Sequence, residues 1–229
     1  MNVELSQNRV AITLEENERF YVRGRLVRGI KAFNWVFPPP FPFGSPFIRL
    51  IHGTYFGLRE LSGTGHREPY VITGLSHRGN FHVLHLKPGE KVYVNGSNLA
   101  GFSATLCSLR THIRFQPPFW FLRKHFFPVF EGPGSILLYS RSKFEVTNRL
   151  TFQPERIVAF NIARPFRVSA PEPTTRSSQV FNLFSDEIIW EFLEPGETVA
   201  EIYNPDHSED DEGNALWRAF KHLLGFLKF

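Results

Sequence analysis

Between Phe81 and Gly96 short runs of strand-forming residues alternate with turn formers. Phe81-His82-Val83-Leu84-His85-Leu86 is followed by Lys87-Pro88-Gly89-Glu90, then by Lys91-Val92-Tyr93-Val94 and by Asn95-Gly96. Pro presets the φ of a turn and Gly supplies the positive φ that other residues resist. The segment therefore predicts strands joined by hairpin turns. The same rhythm recurs at Val10 to Leu14, Phe20 to Val27, Phe47 to His52, Leu99 to Ile113, Gly134 to Tyr139, Phe144 to Thr151, Arg156 to Ile162 and Phe181 to Phe192. Together with 25 Phe, 17 Gly and 17 Pro among 229 residues, it predicts an all-β domain over residues 1–207 and excludes a helical bundle.

Two segments interrupt this rhythm. Residues 33–47 form a proline- and phenylalanine-rich insert, and the prolines of Phe37-Pro38-Pro39-Pro40-Phe41-Pro42-Phe43 forbid a helix interior and a central strand, so Phe33 to Phe43 is expected to be a loop. Residues 116–130 carry Phe119-Trp120-Phe121-Leu122-Arg123-Lys124, and the prolines at 117, 118 and 128 predict projecting loops. The chain also echoes itself. Leu86-Lys87-Pro88-Gly89-Glu90-Lys91-Val92 recurs as Leu193-Glu194-Pro195-Gly196-Glu197-Thr198-Val199, and Asn98 to Ser103 resembles Arg156 to Asn161, which a duplicated β unit explains. After residue 207 comes an acidic linker, 208–213, and then a pattern for an amphipathic helix over 214–229. Leu216, Phe220, Leu223, Leu224 and Leu227 fall on one face, while Arg218, Lys221, His222 and Lys228 lie mostly off it.

The formal net charge of +4 permits an anionic partner without demanding one. The single cysteine, Cys107, excludes an internal disulfide and a cysteine zinc cluster, which fits a reducing compartment. Met1 to Val10 lacks a signal-peptide core, so the expected setting is cytoplasmic, with membrane association confined to the surface.

The layout of Leu86 to Phe102, with Phe130-Glu131-Gly132-Pro133-Gly134-Ser135-Ile136-Leu137-Leu138 and Ile157-Val158-Ala159-Phe160, resembles the altered-inheritance-of-mitochondria protein 24 family over about residues 50–205. The resemblance implies a TRAP-like double-stranded β-helix or β-sandwich, a homo-oligomer (a trimer being one such state), mitochondrial inner-membrane association in eukaryotic members, and no catalytic activity. Residues 33–47 and 116–130 depart from it. The namesake RNA-binding protein shares the fold, and none of its RNA or tryptophan sites transfers here.

Three chemistries compete with a scaffold. Gly79, His82, His85, Glu90 and Gly96 approach a cupin metal signature, but His82 and His85 are three apart, and side chains alternate along a strand, so the two imidazoles face opposite ways. The glycines of Ser62 to Gly65 and Glu131 to Gly134 precede strands, where a phosphate loop needs a helix. Aromatics interleaved with cations at 119–127 suit stacked bases, yet no RNA-binding signature accompanies them, and nucleic acid is not the expected partner. No catalytic, cofactor or metal residue is expected, which leaves a non-enzymatic oligomeric scaffold with an RNA-binding oligomer and a cupin-like metalloenzyme as its rivals. Contact with a membrane or protein partner is expected from Trp35, Phe37 and Phe41 in the insert, from Phe119, Trp120, Phe121, Arg123 and Lys124 in the aromatic segment, and from Trp217, Phe220, Lys221 and Leu224 in the tail.

Overall fold

The computed structural model describes residues 1–6, 8–24, 34–36, 58–63, 69–74, 79–106, 108–113, 126–153, 156–169 and 189–202. Short strands rich in β-branched and aromatic residues run through all of them, and the strand expected over Phe47 to His52 lies outside the described residues. In chain order these are β1 (Asn2–Ser6), β2 (Arg9–Thr13), β3 (Arg19–Arg23), β4 (Asn34–Val36), β5 (Leu58–Ser62) and β6 (Tyr70–Thr73). Then come β7 (Asn80–Leu86), β8 (Lys91–Val94), β9 (Leu99–Ser103), β10 (Ser108–Ile113), β11 (Phe126–Glu131) and β12 (Gly134–Ser140). The last are β13 (Phe144–Thr147), β14 (Thr151–Phe152), β15 (Ile157–Asn161), β16 (Phe166–Ser169), β17 (Ile189–Phe192) and β18 (Thr198–Glu201). The expected helix over 214–229 lies outside the described residues.

Four antiparallel sheets result: an outer sheet β1-β2-β6, a first central sheet β4-β5-β3-β9-β12-β7, a second central sheet β10-β11-β8-β15-β18-β13 and an outer sheet β14-β17-β16. Side-chain parity stacks them in that order. On β12, Ile136 and Leu138 join Phe102, Val92 and Val199 in the core between the central sheets, while Leu137 and Tyr139 turn to Val10, Ile12 and Ile72 of the first outer sheet. On β8, Val92 and Val94 face the central core, whereas Tyr93 enters a third core with Phe160, Phe166, Trp190 and Phe192. Strands covered on both faces need near-continuous apolar runs, as β9, β12 and β15 have.

Two expected loops contain strands. Asn34–Val36 pairs with β5 as an edge strand, a place open to the residues just before Pro38. Phe126–Glu131 pairs with β10 and includes Pro128, while its pairing to β8 starts at Val129, so the nitrogen of Pro128 is not needed on that side. The single run expected over Leu99 to Ile113 breaks at Ala104–Leu106, where Leu106 N–H bonds Ser103 O at 3.3 Å and the chain passes from one central sheet to the other. Phe144 to Thr151 divides likewise into β13 and β14.

The hairpins predicted around residues 87–96 are corrected more deeply. β7 pairs with β12 and β8 pairs with β11 and β15, so Lys87-Pro88-Gly89-Glu90 joins two sheets rather than two paired strands. Asn95-Gly96 crosses back to β9, and neither residue takes the positive φ of a type I′ turn. Facing sheets lie about 10 Å apart, roughly twice the spacing of paired strands, so strands joined by such a turn sit in different layers and pair with other neighbours. The second Pro-Gly-Glu segment does the same, carrying β17 of the outer sheet into β18 of the second central sheet. The echoed strands β9 and β15 each hold fourth place in their six-stranded sheets.

The registers give the central sheets two distinct ends. Lys91 pairs with Glu131, Asn161 with Val92 and Phe160 with Thr198, which gathers both Pro-Gly-Glu turns and Glu131-Gly132-Pro133-Gly134 at one end. At the other end lies the turn Asn95–Asn98. There the Asn98 amide donates to Tyr139 O at 3.3 Å and to Glu201 Oε1 at 2.5 Å, and Arg23 Nη1 donates to Ser97 O at 3.1 Å.

Candidate functional site

A cleft of about 530 Å³ opens at the Pro-Gly-Glu end. One wall is β7, whose consecutive residues His82 to Leu86 all line it; neighbouring side chains point opposite ways, so β7 presents its backbone edge. The facing wall is Glu194-Pro195-Gly196-Glu197 with Asn161, Ala163 and Arg164, and the floor is Val92, Ala159 and Val199.

The two echoed turns that frame the cleft are held by different means. In the first, Gly89 takes φ +77°, Glu90 N–H bonds Lys87 O at 3.1 Å, and the Glu90 carboxylate accepts Lys87 N–H at 2.9 Å. The second is stapled from outside by Arg164. Its Nε donates to Glu194 O at 2.6 Å, and its Nη1 donates to Gly196 O at 2.8 Å and Thr198 Oγ1 at 2.7 Å. Its Nη2 donates to Arg149 O at 3.3 Å, and the guanidinium lies 4.0 Å from the centre of the Phe192 ring. Burial pulls the Arg164 pKa down and the Glu194 charge pushes back. The guanidinium is thus committed to backbone and hydroxyl acceptors, a role no sequence motif announced.

His82 lies on the face of β7 shared with Leu84 and Leu86, toward the central core, with its ring centre 5.8 Å from that of Phe144. Burial depresses its pKa, opposed by the Glu197 charge, so the neutral imidazole is favoured. His85 lies on the opposite face, where Nδ1 meets Ser135 Oγ at 2.9 Å. The two imidazoles therefore cannot share a metal ion. Among the described residues no group of three or more His, Cys, Asp or Glu side chains has the arrangement to hold one.

No family model and no curated protein matches the chain. Its fold is similar to the X-ray structure of a Streptococcus pyogenes protein determined as a structural-genomics target, at 11% identity with a TM-score of 0.55, covering 98% of this chain and 99% of that one. That likeness carries the fold alone.

Of the residues expected to contact a membrane or partner, Trp35 lies on edge strand β4. Phe37, Phe41, Phe119, Trp120, Phe121, Arg123, Lys124, Trp217, Phe220, Lys221 and Leu224 lie outside the described residues. The strands that lead to their segments, however, end together. Val36 pairs with Leu58, which pairs with Arg23, whose guanidinium bonds the Asn95–Asn98 turn. Ile113 pairs with Phe126, on the side of β11 that extends past the Val94 end of β8. β18 ends at Glu201, which the Asn98 amide bonds. The insert, the aromatic segment and the tail all leave the described residues at the Asn95–Asn98 end. Among the described residues no helix is long and apolar enough to cross a membrane.

Proposed function

We propose that this chain is a non-enzymatic, self-associating β scaffold of the altered-inheritance-of-mitochondria 24 type, which applies its Asn95–Asn98 end to an anionic membrane surface. The observation that carries this reading is the common departure point of three segments. Trp35, Phe37 and Phe41, then Phe119 to Lys124, then Trp217 to Leu224 combine rings with cations, the mixture that partitions to headgroup level and meets anionic lipid. The described strands that precede Phe37, Phe119 and Trp217 in the chain all end beside the Asn95–Asn98 turn, which supports this reading. The likeness of the Leu86 to Phe102 and Phe130 to Leu138 segments to that family supports the same reading, as does the commitment of buried Arg164 to holding a turn. Self-association is supported by edge strand β13, where Val146 is 47% exposed.

Flotation with vesicles tests it. The full chain floats with phosphatidylserine-containing vesicles and not with phosphatidylcholine alone, and replacing Trp120 and Phe121 by serine removes most of the bound fraction. Equal flotation of that variant would overturn the membrane role. Light scattering that reports a monomer at every concentration would overturn self-association.

A further inference from the structure

We propose that the cleft at the Pro-Gly-Glu end binds an extended peptide carrying basic side chains, which adds as a strand to the open edge of β7. Among the described residues β7 pairs with β12 alone, through a register running from Asn80 opposite Ser140 to Leu86 opposite Gly134. An antiparallel strand with one neighbour leaves half of its N–H and C=O groups aimed away from it, and an edge of this kind templates another strand. Most such edges are open to bulk water. This one forms the wall of a cleft of about 530 Å³ whose floor is apolar, so an added strand gains both ladder hydrogen bonds and burial of alternate side chains.

Charge selects the occupant. The cleft is lined by the carboxylates of Glu90, Glu194 and Glu197 against one guanidinium, that of Arg164, whose N–H groups are already donated to Glu194 O, Gly196 O, Thr198 Oγ1 and Arg149 O. His82, the imidazole facing Glu197, is held toward its neutral form by burial. Three glutamates against one arginine leave the lining net negative, and a lysine or arginine on the incoming strand meets that excess charge. The site lies at the end remote from the Asn95–Asn98 turn, so it stands or falls independently of the membrane reading.

The test uses the full chain and three fluorescent octapeptides: alternating valine and lysine, alternating valine and glutamate, and the lysine peptide with alternate amides N-methylated. The lysine peptide binds, slows amide hydrogen exchange within residues 82–86, and binds at least about tenfold more tightly than either control. Glu197→Lys, at an exposed position, weakens it by a similar factor while its denaturation midpoint stays that of the parent chain. Failure of the lysine peptide to bind, equal affinity for the glutamate or N-methylated peptide, or protection elsewhere than β7 would each overturn the proposal.

Discussion

Arg164 Nη1 lies 2.7 Å from Thr198 Oγ1, and through this bond and its partners one buried guanidinium fixes the second Pro-Gly-Glu turn against the end of β15. Substitution to alanine strands the carbonyls of Glu194 and Gly196 and is expected to cost about 3 kcal/mol in denaturant unfolding. Arg164→Lys recovers less than half, because an ammonium cannot reproduce the fork. Thr198→Val costs about 1 kcal/mol, and a double-mutant cycle gives a coupling well above zero. Additive effects would show that the turn is held by something else.

Phe160 joins the second central sheet to the outer layer. Its ring centre lies 5.4 Å from Phe166, 6.0 Å from Trp190 and 5.1 Å from Phe192. Phe160→Ala opens a cavity among these rings and is expected to cost about 3–5 kcal/mol. Phe160→Leu costs clearly less. The change is read as a lower denaturation midpoint with an unchanged slope.

His82 has a pH signature. Its pKa is depressed below its ordinary value of 6.5 by burial, with Glu197 opposing. The unfolded chain therefore takes up the proton first, and stability falls as pH drops from about 6.5 through the folded value. An NMR titration of the His82 imidazole should give a midpoint below 6.5, and Glu197→Gln should lower it further. A midpoint at or above 6.5 would contradict the burial.

The amino group of Met1 lies 2.7 Å from Glu18 Oε2. The hydrogen bond to Glu18 raises the amine above 8.0, against the opposing effect of burial. Burial alone would raise Glu18, but the bonds from that amine and from Glu15 N–H, with the amine's charge, hold it below 4.5. The raised amine loses its contribution as pH climbs through its folded value, and the lowered carboxylate loses its own as pH falls through its folded value. The pair thus contributes in full between about 4.5 and 8, and no more than about 1 kcal/mol, because water and salt reach it. Glu18→Gln should flatten the stability profile at both limits.

Strands β12 and β15 were legible in the sequence because burial on both faces leaves the uninterrupted apolar runs of Ile136 to Tyr139 and Ile157 to Phe160, whereas β5 and β18 of the same sheets were not anticipated. Sheet membership was not legible either. A Pro-Gly-Glu or Asn-Gly turn reads locally as a hairpin, and only the second covered face of β8 and β9 forces it to cross between sheets. Proline concealed β4 and β11, since the first is an edge strand ending just before Pro38 and the second contains Pro128 and begins its β8 pairing just after it. The opposite facing of His82 and His85 followed from strand alternation alone. The Arg164 staple and the place of β7 at the end of its sheet among the described residues had no local signal, because both depend on segments distant in the chain.

On the proposed reading, the Asn95–Asn98 end of the sandwich meets the membrane and the Pro-Gly-Glu end does not. Exposed Ser97 lies in the turn at the first end and exposed Lys87 in a Pro-Gly-Glu turn at the second, so each takes a single cysteine carrying an environment-sensitive fluorophore, with Cys107 replaced by serine. On adding phosphatidylserine-containing vesicles, the label at position 97 should shift to the blue and become shielded from aqueous quencher, while the label at 87 stays unchanged. A shift at 87, or no shift at either position under conditions where the protein floats, would contradict the account.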